Sequence, residues 1–212
     1  MLTPDAIFEA VAAATGPDLP PVATPEAVTE AELAIGYPLP PLLRRLYLEL
    51  GNGGFGPRNA ITGILDLDRD FHHGDIFESL NHSAVEYRHD PDKRMAGMVA
   101  LLEWGCAIST LLDCRDPGGQ MWGWDPDTCC REHSLFPMDI TFNEWLADSI
   151  GQKYDDVFHD GYFEGDTSDT EGDAGDESGL IRLGVDDVDE DENQNAPCPY
   201  DPPVWVKGRR LR

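Results

Sequence analysis

Positive charge is scarce in this sequence. Only 15 of its 212 residues are Lys or Arg, against 41 Asp or Glu, and the formal net charge is −26. A chain with this charge repels nucleic acids and anionic membrane surfaces, so neither is an expected partner. The composition instead favours a basic partner, although acidity also serves solubility alone.

Long apolar runs and a recognisable targeting segment are also missing. No apolar run reaches the roughly 18 residues that a membrane-spanning helix needs. The first basic residue is Arg44, so the cationic start typical of a signal peptide is not seen. We therefore expect a cytoplasmic protein.

Cysteines are few, and their spacing is uninformative. There are five, an odd number, and no two have CxxC spacing, which favours reduced thiols over a disulfide framework. Cys129, Cys130 and His133, with Cys106 and Cys114, could supply zinc ligands, but structural zinc usually uses ligands paired at short spacing. We predict no cofactor and no metal site, and leave metal binding by the 129–133 group open.

Motifs for nucleotide binding and catalysis are incomplete. The stretch LELGNGGFGP contains GxGxxG spacing at residues 51–56, but it follows an apolar helical run instead of opening a helix, and it has no Walker lysine. No GxSxG or sharp Cys–His signature is present. Asp66, Asp68 and Asp70 resemble the start of a calcium loop whose required Gly and Glu are replaced by Phe71 and Phe77. We predict a protein that is not an enzyme.

The chain divides near residue 152. Residues 1–152 show regular apolar spacing, whereas residues 153–212 form an acidic low-complexity tail with a short basic C-terminus. Between Asp155 and Glu192 there are 16 acidic residues and one basic residue. Such a segment buries too little apolar surface to offset the entropy of ordering, so the tail is predicted to be largely irregular. Opposite charge would allow its basic end to fold back onto the acidic run or the body.

Helices and strands within residues 1–152 follow from caps and periodicity. Helical signals precede strand signals, and a Thr-x-x-Glu capping box at Thr141 opens a closing helix. A turn over residues 114–119 joins the last two strands into a hairpin. The order predicts an α+β domain with an antiparallel sheet. The helices are expected at 4–14, 25–35, 41–50, 75–88 and 142–150, and the strands at 60–65, 98–104, 106–112 and 120–124.

An aromatic run at residues 121–125 is the most informative local feature. Strand alternation places Trp122 and Trp124 on one face, where they either pack in the core or anchor a partner. Acidic runs before and after it are further candidates for contact with a basic surface. The candidate partner-binding residues are Asp66, Asp68, Asp70, Trp122, Trp124, Asp125, Asp186, Asp187 and Asp189.

An ordered set of motifs resembles the SUKH superfamily. Residues 30–54, EAELAIGYPLPPLLRRLYLELGNGG, have its acidic helix, Gly, Leu-Pro step, apolar helix and Asn-Gly-Gly end. LLEWGCAI at 101–108 resembles its strand pair, and FNEWL at 142–146 its final helix. The resemblance covers roughly residues 25–150 and leaves the acidic tail outside.

The resemblance implies a single SUKH-like α+β domain with an antiparallel or mixed sheet packed by helices. It implies binding without catalytic residues, since the superfamily includes fungal cell-wall synthesis regulators and bacterial immunity proteins. The leading hypothesis is an immunity protein that neutralises a protein toxin, such as a nuclease, by occluding its basic surface. The alternative is a regulatory or scaffolding module without a toxin partner.

Overall fold

A computed structural model describes residues 2–64, 79–89, 93–105, 107–126 and 133–150, and the backbone of 204–206 and 209–211. The predicted α+β class is confirmed: helices pack on a four-stranded antiparallel sheet of order β1-β2-β3-β4. The helices are α1 Pro4–Ala14, α2 Pro25–Ile35, α3 Pro41–Glu49, α4 Leu80–His89 and α5 Phe142–Ile150. The strands are β1 Met98–Gly105, β2 Ile108–Asp113, β3 Gln120–Trp124, β4 Leu135–Thr141, β5 Val204–Val206 and β6 Arg209–Leu211.

Helix ends follow the capping signals in the sequence. The hydroxyls of Thr3 and Thr24 accept hydrogen bonds from the first turns of α1 and α2, and Gly36 ends α2 in the left-handed conformation. The capping box at α5 forms in both directions. The amide of Thr141 donates to Glu144 at 3.1 Å, and the amide of Glu144 donates to the Thr141 hydroxyl at 3.4 Å.

Glu32 connects α2 to the start of α3. Its Oε1 accepts the backbone N–H of Leu39 at 3.1 Å and lies 3.5 Å from Nε of Arg44. The acidic residue of α2 therefore fixes the turn that carries the Leu-Pro step, which explains why the two motifs occur together.

The main core lies between the helices and one face of the sheet. Its largest fully buried side chains include Tyr47, Phe55, Phe142 and Trp145. The Tyr47 hydroxyl donates to the carbonyl of Thr62 at 2.6 Å, so the polar atom of this buried side chain is satisfied.

The β1 edge of the sheet is closed by other parts of the domain. A β-bulge at Leu101 leaves its carbonyl to accept the Thr62 amide at 2.8 Å, and the Ala100 amide donates to Oγ of Ser83 on α4 at 3.0 Å. Of the strand predicted over 60–65, the described residues 60–64 form an irregular segment, so the prediction is wrong there. The segment is tied to β1 at the bulge and so has no regular ladder.

The β4 edge is built differently and was not predicted. Pro137 is exposed on β4, and Asp139 has a φ of 51° beside a register shift against β3. Both features interrupt a regular ladder, as is typical of protected edge strands. β5 lies against β4, but it pairs with β6 as a separate antiparallel hairpin.

Two further expectations concern helices. The helix predicted over 75–88 is confirmed as α4 from Leu80, while residues 75–78 lie outside the described residues. In the described part of the chain, no helix is both long and apolar enough to cross a bilayer.

Candidate protein-interaction face

The face of the sheet opposite the main core carries both candidate tryptophans. Burial alternates along β3, so Trp122 and Trp124 lie on the same face while Met121 points into the main core. This confirms the predicted alternation. We call this side the outer face. Its apolar residues are Met98, Ala100, Leu111, Trp122, Trp124 and Leu135, joined by Tyr87 and Met95.

A row of paired residues crosses the outer face from one edge to the other. Ala100 pairs with Leu111, Leu111 with Trp122, and Trp122 with Pro137. Ala100 and Leu111 are buried, Trp122 is half-buried and Pro137 is exposed. Along this row the outer face thus becomes more accessible towards β4, although Leu135 of the same strand is buried.

The indole of Trp122 has an unusual polar atom. Its Nε1 is buried, and no acceptor lies within hydrogen-bond distance of it in the part of the chain that the structure describes. Buried Trp N–H groups usually have a partner, because leaving one unsatisfied costs about 1–3 kcal/mol. Trp122 therefore packs on the outer cluster with a buried N–H that has no hydrogen-bond partner in the described part of the chain.

Gly123 fixes the spacing between the two tryptophans. It pairs with Phe136 of β4, and a Cβ at this position would overlap the Phe136 ring. The Phe136 ring of β4 therefore lies over Gly123 of β3, on the main-core side of the sheet. In the pattern Trp-Gly-Trp, the glycine makes room for the Phe136 ring on the main-core side, a role that depends on a neighbouring strand and was not predicted.

Asp125, the third candidate on β3, is buried with 2% exposure. Its amide donates to the carbonyl of Ser134 at 2.8 Å, which holds the start of β4 beside the end of β3. The structure thus brings Trp122, Trp124 and Asp125 together at one end of the strand, with the two indoles more accessible than the carboxylate. Asp66, Asp68, Asp70, Asp186, Asp187 and Asp189 lie outside the described residues.

Backbone amides of the glycine-rich loop already have hydrogen-bond acceptors within the domain. The amides of Asn52, Gly53 and Gly54 donate to the carbonyls of Pro21, Gly51 and Ile61. A phosphate cradle needs such amides to point at the anion, so this loop does not offer one.

Asn52 and Gly53 explain why the loop has its sequence. The Asn52 side chain accepts from the Ile64 amide at 2.8 Å and donates to its carbonyl at 2.9 Å. Gly53 has a φ of 82°, and a Cβ there would lie 2.7 Å from the backbone of Gly63. The loop binds the chain segment that closes the β1 edge, which is a structural role.

Burial governs two ionisable groups of the described core, Cys114 and Tyr87. Burial raises the pKa of the Cys114 thiol to about 12, with Asp113 and Glu32 adding to the effect, so the thiol stays protonated near neutral pH. Burial likewise raises the pKa of Tyr87. Among the described residues, no cluster of three His, Cys, Asp or Glu side chains could hold a metal ion. Cys106, Cys129 and Cys130 lie outside those residues.

Comparison with known proteins identifies the family. Residues 22–148, more than half of the chain, match the SMI1 / KNR4 family (SUKH-1). The chain belongs to this family. None of the curated proteins and none of the solved structures compared with the chain matches it.

The match to the SMI1 / KNR4 family runs from just before α2 into α5. It includes the Glu32 turn, the Asn52 loop and the whole four-stranded sheet, whereas α1 and the acidic tail are outside it. SUKH proteins include toxin immunity proteins, and the family generally comprises immunity or regulatory proteins rather than enzymes.

Proposed function

We propose that this chain is an immunity-type protein that binds a protein toxin and neutralises it by occluding a basic surface. Membership of the SMI1 / KNR4 family carries the proposal, since that family includes toxin immunity proteins. The net charge of −26 supports the basic character of the partner. The protein acts by binding, in the cytoplasm, without catalysis, nucleic acid or membrane.

The outer face is the proposed contact surface. Trp122 and Trp124 are half-buried, so each offers aromatic area at little cost in side-chain entropy. The acidic residues Asp66, Asp68, Asp70, Asp186, Asp187 and Asp189, which lie outside the described residues, are proposed to attract the basic surface of the partner. Asp125 is buried and is left a minor part in this attraction.

Co-expression tests the function directly. The toxin encoded by the neighbouring gene should arrest growth alone and be tolerated when this protein is present. The two should also co-purify. Absence of both rescue and complex would refute the proposal.

Substitution of the tryptophans tests the contact surface. Trp122→Ala and Trp124→Ala should each weaken toxin binding by about 2 kcal/mol, or about 30-fold in Kd, as interface hot spots do. Leu33→Ala is the matched control, because Leu33 is an apolar residue that is 71% exposed on α2, away from the outer face. Equal affinities for all three variants, at unchanged Tm, would place the contact elsewhere.

Two charge-neutralised variants separate the acidic segments. Asn at positions 66, 68 and 70, or at positions 186, 187 and 189, removes three charges in either case. Neutralising the segment that steers the toxin should lower the association rate more than neutralising the other segment. The difference in rate should fade as salt rises from about 0.05 to 0.5 M. Association rates that ignore both salt and substitution would remove the electrostatic part of the proposal.

A regulatory or scaffolding role is the second candidate. It is favoured by the acidic segment outside the family match, which suits recruitment of several partners. Capture from the native cells distinguishes the two roles, because an immunity protein should retain one toxin and a scaffold several housekeeping proteins. A thermal-shift screen with nucleotides and metal ions should be flat for either binding role.

A further inference from the structure

The β-bulge at Leu101 decides which side chains of β1 reach the outer face. Before the bulge, Ala100 belongs to the outer cluster. After it, Leu102 and Trp104 lie on the main-core side, so Glu103 lies on the outer face. Without the extra residue, strict alternation from Ala100 would turn Trp104 outwards and Glu103 towards the core. The bulge therefore places a carboxylate on the proposed contact surface.

Strand pairing puts this carboxylate in one row with a candidate tryptophan. Glu103 pairs with Ser109 of β2, and Ser109 pairs with Trp124 of β3. Residues directly opposite each other on antiparallel strands point to the same face, so all three face outwards. Ser109 is buried, while Glu103 and Trp124 are half-buried, with Cα atoms about 10 Å apart across two strand spacings. We call the three residues Glu103, Ser109 and Trp124 the Glu–Trp slot.

The charge of Glu103 acts on the apolar residues of the outer face. Tyr87 of α4 belongs to the outer cluster and is buried. Burial raises the pKa of Tyr87, and the negative charge of Glu103 adds to this rise. The carboxylate therefore lies close to buried apolar groups, where its attraction for a cation is screened less than in bulk water.

A carboxylate and an indole on either side of a short side chain fit one kind of group from a partner. The guanidinium of arginine is planar, pairs with carboxylates and stacks on indole faces, whereas the ammonium of lysine is more strongly hydrated. The chain makes such a contact on the main-core side of β1, where the guanidinium carbon of Arg58 lies 5.3 Å from the centre of the Trp104 ring. The basic surface of a toxin would supply the same group to Trp124.

We propose that the Glu–Trp slot binds one arginine side chain of the toxin, with its guanidinium between the Glu103 carboxylate and the Trp124 indole. The natural ligand rests on the proposed function, whereas the preference for a guanidinium rests on the fold. Acidic residues elsewhere attract a basic partner from a distance, but the slot discriminates between arginine and lysine at contact. Glu103 is therefore the specificity-determining residue of the outer face.

A peptide titration of the full-length chain tests the slot without any toxin. The probe is an oligo-arginine peptide, and oligo-lysine of the same length is the comparison. The acidic chain attracts both peptides, so the readout is local and consists of the NMR shifts of the Ser109 amide and the Trp124 indole. Oligo-arginine should move both signals at a several-fold lower concentration than oligo-lysine.

Three variants locate the contact. Glu103→Gln removes the charge at nearly constant shape, and Trp124→Leu keeps apolar bulk without an aromatic face. Each should abolish the preference for arginine. The matched control is Glu30→Gln, which neutralises an exposed residue of α2 and should keep the preference. Equal responses of the wild type to the two peptides would overturn the slot, as would a control that loses the preference as fully as Glu103→Gln.

Toxin binding tests the natural ligand separately. Glu103→Gln should weaken toxin binding about tenfold at unchanged Tm, as loss of a charged hydrogen bond does, while Glu30→Gln should weaken it less than about twofold. Equal losses in the two variants would overturn the slot as a toxin contact and leave the proposed function standing. If the wild type binds no toxin, the proposed function fails. An arginine preference that is lost in Glu103→Gln would then still support the slot as a guanidinium site.

Discussion

The two edges of the sheet are protected by different means. At β1 the exposed backbone groups have partners from within the domain, the Ser83 hydroxyl and the Thr62 amide. At β4 the protection comes from Pro137, the irregular backbone at Asp139 and the neighbouring hairpin. The first edge is closed by hydrogen bonds to its neighbours within the domain, whereas the second is protected by interruptions in its own strand. The difference indicates that the two edges should respond differently to substitution.

The loop that closes β1 should be the most sensitive to substitution. Gly53→Ala would place a methyl group 2.7 Å from the Gly63 backbone at a φ of 82°. We expect a loss of about 4 kcal/mol in the free energy of unfolding, from overpacking and left-handed strain together. Urea unfolding measures it, and Gly16→Ala is the control because no atom lies within 4 Å of its Cβ. Equal stabilities would show that the β1 edge is not rigid.

The contact between β3 and β4 should be the next most sensitive. Gly123→Ala forces the buried Phe136 ring to move, at a cost of about 3 kcal/mol. Gly118→Ala in the β2–β3 turn is the control, since its Cβ would only touch the Asp116 carboxylate at 3.4 Å. Equal Tm values for the two variants would show that the Phe136 ring can shift at little cost and that β4 packs less tightly on β3 than the contact indicates.

Ser83 provides a test of a single edge hydrogen bond. Ser83→Ala leaves the Ala100 amide without its acceptor in a fully buried position, which should cost about 2 kcal/mol. In the control Ser149→Ala, the lost hydroxyl only donates to the helix carbonyl of Leu146, so we expect less than about 1 kcal/mol. Chemical denaturation compares the two, and a smaller loss at Ser83 would contradict an internally satisfied β1 edge.

A substitution at the exposed β4 edge should change self-association but not the free energy of unfolding. Pro137→Thr restores a backbone donor on an exposed residue, so the free energy of unfolding should stay within about 0.5 kcal/mol. Light scattering should nevertheless detect self-association at high concentration, because the strand loses a residue that blocks pairing. The exposed Pro38→Thr, in the α2–α3 link, should remain monomeric. Monomeric behaviour of both would mean that Pro137 does not guard the edge.

Much of the fold was predictable because local signals agree with it. Capping residues gave the starts of α1, α2 and α5, and alternation placed Trp122 and Trp124 on one face. β4 was missed because Pro137 weakens a strand pattern, although Phe136, Met138 and Ile140 alternate into the main core. The C-terminal hairpin was missed because its placement depends on tertiary contact. The packing of the Phe136 ring over Gly123 was missed because it depends on a neighbouring strand.

The alternation around Gly123 has a consequence for how such a protein can change over time. Phe136 fills the space over the glycine on the helix side, while Trp122 and Trp124 belong to a separate cluster on the other side. If the two tryptophans form the proposed contact surface, substitutions there should alter binding with little disturbance of the residues that hold the fold. Under that proposal a lineage could follow a diverging partner by drift at two positions, and a library randomised at those positions could be selected for new partners on an unchanged scaffold.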